Sequence, residues 1–134
     1  MTPAEELRAA EAKVRETASK ATPGPWVADG LEISGEVTDP DADMYARWVA
    51  ESLDDNDPDH GCDNAAWIAL ASPALAEPLA GLLKSAGNDL SGAEAAAAKL
   101  THLGEGFDPV EFCDEPASVR RALDVARAIN GSTR

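Results

Sequence analysis

The sequence predicts an α+β fold: an N-terminal helix, a small antiparallel β-meander, then three to four helices packed on one face. Three observations predict it. Of 134 residues, 27 are alanine and only six are aromatic, so most of the apolar content is small and helix-forming. Helix start and stop signals recur at both ends of the chain. Between them, residues 26–51 hold short alternating runs divided by glycine turns.

The first helix is predicted from about Pro3 to Ser19. Thr2-Pro3-Ala4-Glu5 reads as a capping box with proline at the first helical position, and Leu7, Ala10, Val14 and Ala18 follow at helical spacing. Ala21-Thr22-Pro23-Gly24-Pro25 stops it, because each proline removes a donor and pushes the preceding residue to extended geometry. Trp26-Val27-Ala28, an Asp29-Gly30 turn, Leu31-Glu32-Ile33, Ser34-Gly35 and Glu36-Val37 then read as a meander. Residues 44–53 suit a helix or a strand, and Arg47-Trp48-Val49-Ala50-Glu51 favours the strand. Asp54 to Gly61 reads as a mobile acidic loop. Asp63 is expected to cap a short helix over Asn64 to Ala71. A second helix is expected to restart at Ser72-Pro73 with Leu75, Leu79, Leu82 and Leu83 on one side, to be bent by Pro78 and to end at Gly87. Ser91-Gly92-Ala93-Glu94 reads as a further capping box opening an alanine-rich helix that stops near Gly104. Pro116 opens a last helix striped by Val119, Ala122, Leu123, Ala126 and Ile129 and ending at Gly131. The expected organisation is a core over residues 1–86 and a C-terminal helical pair over residues 87–134, packed on the same domain.

Twenty-five acids against 11 bases give a formal charge of -14, which argues against direct binding to nucleic acid or to anionic lipid. Residues 29–63 carry twelve of the acids and the single base Arg47, so the charge forms a one-signed patch. No apolar run approaches the roughly 20 residues of a membrane span, and Met1 to Lys13 lacks the form of a signal peptide, so a bacterial cytoplasm is expected. Cys62 and Cys113 read as two reduced thiols.

Asp55, Asp57, Asp59 and Asp63 fail the calcium-loop pattern: counting from Asp55, the sixth position is His60 rather than glycine and the twelfth is Ala66 rather than glutamate. His60, Cys62, His102 and Cys113 make two histidines and two cysteines, but zinc sites are normally assembled from close pairs and the last two are eleven residues apart. No metal, cofactor or catalytic residue is therefore expected, and no nucleophile, phosphate-loop or dinucleotide motif is present. Trp26, Trp48 and Trp67 read in two ways, as bulk for a core short of large side chains or, with Arg47, as a binding surface. Asp54, Asp55, Asp57 and Asp59 are the acidic part of that surface.

Ala21-Thr22-Pro23-Gly24-Pro25-Trp26, with Trp48-Val49-Ala50-Glu51 and then Asp63-Asn64-Ala65-Ala66-Trp67-Ile68-Ala69 running into Ser72-Pro73, resembles the Ead-like proteins of bacteriophages and prophages in their actinobacterial form. The likeness covers roughly residues 4–86. It implies a small phage accessory protein with no catalytic residues to carry over. Residues 87–134 depart from the short family pattern.

The function expected from these readings is a non-enzymatic accessory protein that binds a host protein through its acidic surface. Two alternatives stand beside it: a DNA mimic that inhibits a host nucleic-acid enzyme, and a protein that sequesters a nucleotide-like small molecule around Trp26, Arg47, Trp48 and Trp67. Homo-oligomerisation through Leu75 to Leu83 or Val119 to Ile129 is compatible with each.

Overall fold

The computed structural model describes residues 1–35, 48–53, 57–100 and 106–131. It is an α+β chain in the order α1 (Pro3–Lys20), β1 (Trp26–Asp29), β2 (Glu32–Gly35), β3 (Trp48–Glu51), α2 (Pro58–Leu70), α3 (Ala76–Leu100) and α4 (Pro116–Asn130). Short 3-10 turns at Pro73–Leu75 and Pro109–Phe112 precede α3 and α4. The described residues form two compact units, Met1–Glu16 with Pro78–Arg134, and Thr17–Glu77. Positions 86 and 87 lie inside α3.

The first unit is helical. Its core is a layer of small and branched side chains: Ala4, Leu7 and Ala10 from α1, Leu83, Ala86, Leu90 and Ala93 from α3, and Val119, Leu123 and Ala126 from α4, with Val110 and Cys113. The capping box at the start of α1 is formed as expected, the Thr2 amide donating to Glu5 Oε2 at 2.7 Å and the Glu5 amide to Thr2 Oγ1 at 3.3 Å. The stripe of α4 is also as expected, with Val119, Leu123 and Ala126 buried and the helix ending at Gly131 in left-handed geometry. Polar ties join α4 to α1: Arg127 Nε donates to Glu6 Oε2 at 2.7 Å, and Asn130 Nδ2 to the Glu6 carbonyl at 3.0 Å.

Along α3 the structure departs from expectation at four points. The helix expected to end at Gly87 runs on to Leu100: Gly87 is buried against α1, where a Cβ would make ordinary contact with Leu7 Cβ at 3.5 Å, and its backbone stays helical. Ser91 and Glu94 therefore cap nothing on their own helix. Glu94 instead accepts from the Ala4 amide at 3.2 Å, satisfying an orphan donor of α1, and Ser91 accepts from Arg8. The leucines are divided, with Leu83 buried, Leu79 half-buried, and Leu75 and Leu82 exposed. Leu79, Leu83, Ala86 and Leu90 follow steps of four and three along the inner line of α3, Leu82 lies about 100° round the helix from Leu83, and Leu75 belongs to the 3-10 turn before α3. Pro78 sits in the first turn of α3, where its missing donor removes no intrahelical bond.

The second unit is the meander with α2. Strand order is β1-β2-β3, antiparallel, with Ala28 opposite Ile33 and Ile33 opposite Ala50. The strand reading holds at residues 48–51. The hairpin loop is Gly30-Leu31, one residue beyond the expected Asp29-Gly30, and Gly30 takes the positive φ of 59° that its first position requires. Glu36, Val37 and residues 43–47 lie outside the described residues. The acidic loop expected through Gly61 is instead helix from Pro58: Asp57 is the N-cap, its side chain accepting from the Asp59 amide at 3.0 Å and the His60 amide at 3.4 Å, with proline at the first helical position. Asp63 consequently lies within α2 and does not begin it.

Residues 66–83 carry Glu77 as their one charge, and by length and composition alone the Asp59–Leu100 stretch is apolar enough to cross a membrane. This differs from the expectation that no segment approaches that length. The stretch is two helices, interrupted at Ala71 and Ser72 ahead of the 3-10 turn Pro73–Leu75, and α3 buries Ala80, Leu83, Ala86 and Leu90.

Candidate functional site

The site is built from the two faces of the three-stranded sheet. Period-2 alternation sends Ala28 and Ile33 to the side covered by α2, where Ile33 is fully buried with Ala65 and Ala69, and Trp26, Ala28, Val49 and Ala50 pack around them. A bulge between Ile33 and Ser34 turns both Val49 and Ala50 toward this cluster. Every other residue of β1 and β2 then faces away. The open face carries Val27 and Asp29 from β1, Glu32 from β2, and Trp48 and Glu51 from β3, all exposed.

The register on that face puts like charges side by side. Asp29 is the partner of Glu32, and Glu32 the partner of Glu51, so three carboxylates stand in a row across three strands. Neighbouring strands lie about 4.8 Å apart. Like charges directly opposite one another destabilise a sheet, and the described residues place no base among them. Beside the row, Trp48 is 55% exposed and Val27 is also open to solvent. A large aromatic next to exposed carboxylates is suited to a cationic, partly apolar surface: the acids supply attraction, and the ring supplies contact area and a face for a guanidinium.

The Thr22–Trp26 segment fixes one edge of this arrangement. Trp26 Nε1 donates to the Thr22 carbonyl at 3.0 Å, and the Gly24–Pro25 peptide is cis. Gly24 lies flush against the turn before α3, where a Cβ would meet the Ala74 amide nitrogen at 2.8 Å and Ser72 Oγ at 2.9 Å. No other residue fits there without displacing backbone.

Of the residues expected to form one surface, the structure places the three tryptophans on different sides. Trp26 is on the α2 side of the sheet and Trp48 on the open side. Trp67 is 69% exposed on α2, two residues from the buried Ala65 and hence on the far side of that helix. As core bulk, only Trp26 serves. Asp57 is engaged as the α2 cap, and Asp59 is exposed in the first turn. Arg47, Asp54 and Asp55 lie outside the described residues. The row Asp29, Glu32, Glu51 was not legible as a set, because spacing in sequence does not reveal strand register. The alternation of acids with apolar residues in each strand was its only trace.

Cys62 is exposed and Cys113 buried, and both are free. Burial first, then the negative field of Asp89, Asp114, Asp108 and Glu94, pushes the Cys113 thiol above its ordinary pKa, making it a poor nucleophile. Among the described residues no group of three or more metal-ligating side chains converges. No protein-family model, curated protein or solved structure matches this chain.

Proposed function

We propose that the chain is a non-enzymatic accessory protein of a bacteriophage or prophage that binds a host protein through the acidic open face of its sheet. The phage assignment rests on the Ead-like resemblance of residues 4–86. The mode of action rests on one observation: Asp29, Glu32 and Glu51 stand in register, exposed, beside Trp48. Such a row costs the free protein stability and is relieved when a basic surface docks on it. Electrostatic steering accelerates that encounter, and Trp48 with Val27 supplies affinity once water is excluded.

The same row supports the DNA-mimic alternative, since it is an ordered set of charges on a sheet. Sequestration of a nucleotide-like molecule has less behind it, because Trp26, Trp48 and Trp67 face three different sides of the unit.

The test is capture from an actinobacterial lysate on immobilised protein, comparing the native chain with Trp48→Ser and Glu32→Lys at low and high salt. The proposal expects a protein retained by the native chain, released by salt and lost with either variant. Its displacement by duplex DNA would select the mimic. Retention indifferent to salt and to both variants, or no retained protein, overturns the proposal.

A further inference from the structure

Within the helical unit, α3 and α4 leave a groove of about 620 Å³ between them. Its walls are Leu79, Leu82 and Leu83 from α3 and Val119, Ala122 and Val125 from α4. Two of these are far more open than a core requires: Leu82 is 68% exposed and Val125 41%. The lining runs from Leu79 to Asp89 on α3 and from Glu115 to Val125 on α4, about 15 Å along each helix, which is close to three helical turns. Charge is distributed unevenly along it. Asp89, Asp114 and Glu115 border the groove, and Arg121 is the one base among its lining residues. The acids gather where α4 begins, with Asp89 close enough to act on the Cys113 thiol beside Asp114.

We propose that this groove is a second docking site, which receives an amphipathic helix of a partner protein bearing lysine or arginine at the end that meets Asp89, Asp114 and Glu115. Charge complementarity selects this occupant. A second copy of the chain, at a formal charge of -14, approaches an acidic rim against repulsion, whereas a basic helix is drawn to it. Three turns of helix offer anchors at i, i+3 or i+4, and i+7 to the leucine and valine walls, the usual way in which a helix fills a groove. The proposal is independent of the sheet-face reading, since it concerns other elements and other residues.

The probe is a fluorescently labelled 14-residue helical peptide with leucines on one face and lysines at one end, set against a version with glutamate replacing each lysine and a scrambled version of the same composition. Leu82→Asp and Val125→Asp alter exposed side chains, and thermal melts verify that they fold. Asp89→Asn with Asp114→Asn discharges the rim, and Trp48→Ser serves as the control on the other site. The proposal expects saturable binding of the basic amphipathic peptide alone. It expects at least tenfold weakening by Leu82→Asp or Val125→Asp, weakening by the discharged rim that fades at high salt, and no change with Trp48→Ser. Backbone amide shifts of the native protein, which need no variant, should move along α3 and α4. Equal binding of the acidic or scrambled peptide, shifts confined to the sheet, no binding, or a concentration-dependent dimer abolished by Leu82→Asp would each overturn it.

Discussion

Glu32 stands between Asp29 and Glu51, so reversing its charge changes two contacts at once. At about 6 Å and the dielectric of water, each like-charge contact costs about 0.7 kcal/mol before screening. Glu32→Lys turns both repulsions into attractions of similar size, and a Debye length of about 10 Å near 0.1 M salt reduces the swing to about 1–1.5 kcal/mol. Side-chain freedom lowers it again, toward the value of about 1 kcal/mol expected for cross-strand pairs. The two side chains have similar strand propensity, so little else changes. The variant should therefore be more stable than the native protein by about 1 kcal/mol in urea unfolding followed through the fluorescence of the packed Trp26, and the gain should shrink below about 0.5 kcal/mol at 1 M salt. Equal or lower stability at low salt, or a gain indifferent to salt, would refute the in-register row. A residue whose replacement stabilises the fold yet abolishes binding is one retained for function.

Other expectations follow from the same structure. Gly87→Ala should stabilise the helical unit by about 0.5–1 kcal/mol, since the added methyl meets Leu7 Cβ at an ordinary 3.5 Å and helix propensity improves; a loss, read by thermal melting, would mean that α3 breaks there. Asp57→Ala should cost about 1 kcal/mol by removing the α2 cap, with Asp59→Ala costing less, both measured by urea unfolding. Ile33→Ala should cost about 2–5 kcal/mol, because Ile33 is the one large, fully buried side chain of the sheet cluster, and its effect is read from the loss of Trp26 emission characteristic of the packed state. Under native conditions iodoacetamide should label Cys62 and spare Cys113, with equal labelling after unfolding. Because the folded Cys113 pKa is raised, the unfolded chain ionises first, and stability should fall as pH climbs above about 8.5; titration of the Cys113→Ser variant should show a flatter profile.

Local chemistry made much of this fold legible. The capping box at Thr2, the proline stop after Ala21, the left-handed end at Gly131 and the stripe of α4 are each decided within a few residues, and each stands as read. Asp57-Pro58 is an equally local helix start, but it stands among acids whose composition reads as a loop. The errors along α3 have another cause. Gly87 and the Ser91 to Glu94 box are valid stop and start signals, but the helix is continued by packing against α1, where Gly87 is buried and Glu94 serves a different helix. Tertiary contacts override local preference in such places. The candidate site was the least legible part. Acid content marks residues 29–63, but register arranges the candidate site: it sets Asp29, Glu32 and Glu51 in line and places Trp48 beside them, while Trp67 lies on another side.

The most direct test of the central claim is the association rate of the lysate-captured host protein with the native chain and with Glu32→Lys, measured across a salt series. The account predicts a rate that falls steeply with salt for the native chain, and a Glu32→Lys rate that is lower at low salt and nearly flat, although that variant is the more stable fold. Coincident, salt-independent rates for the two proteins would contradict it.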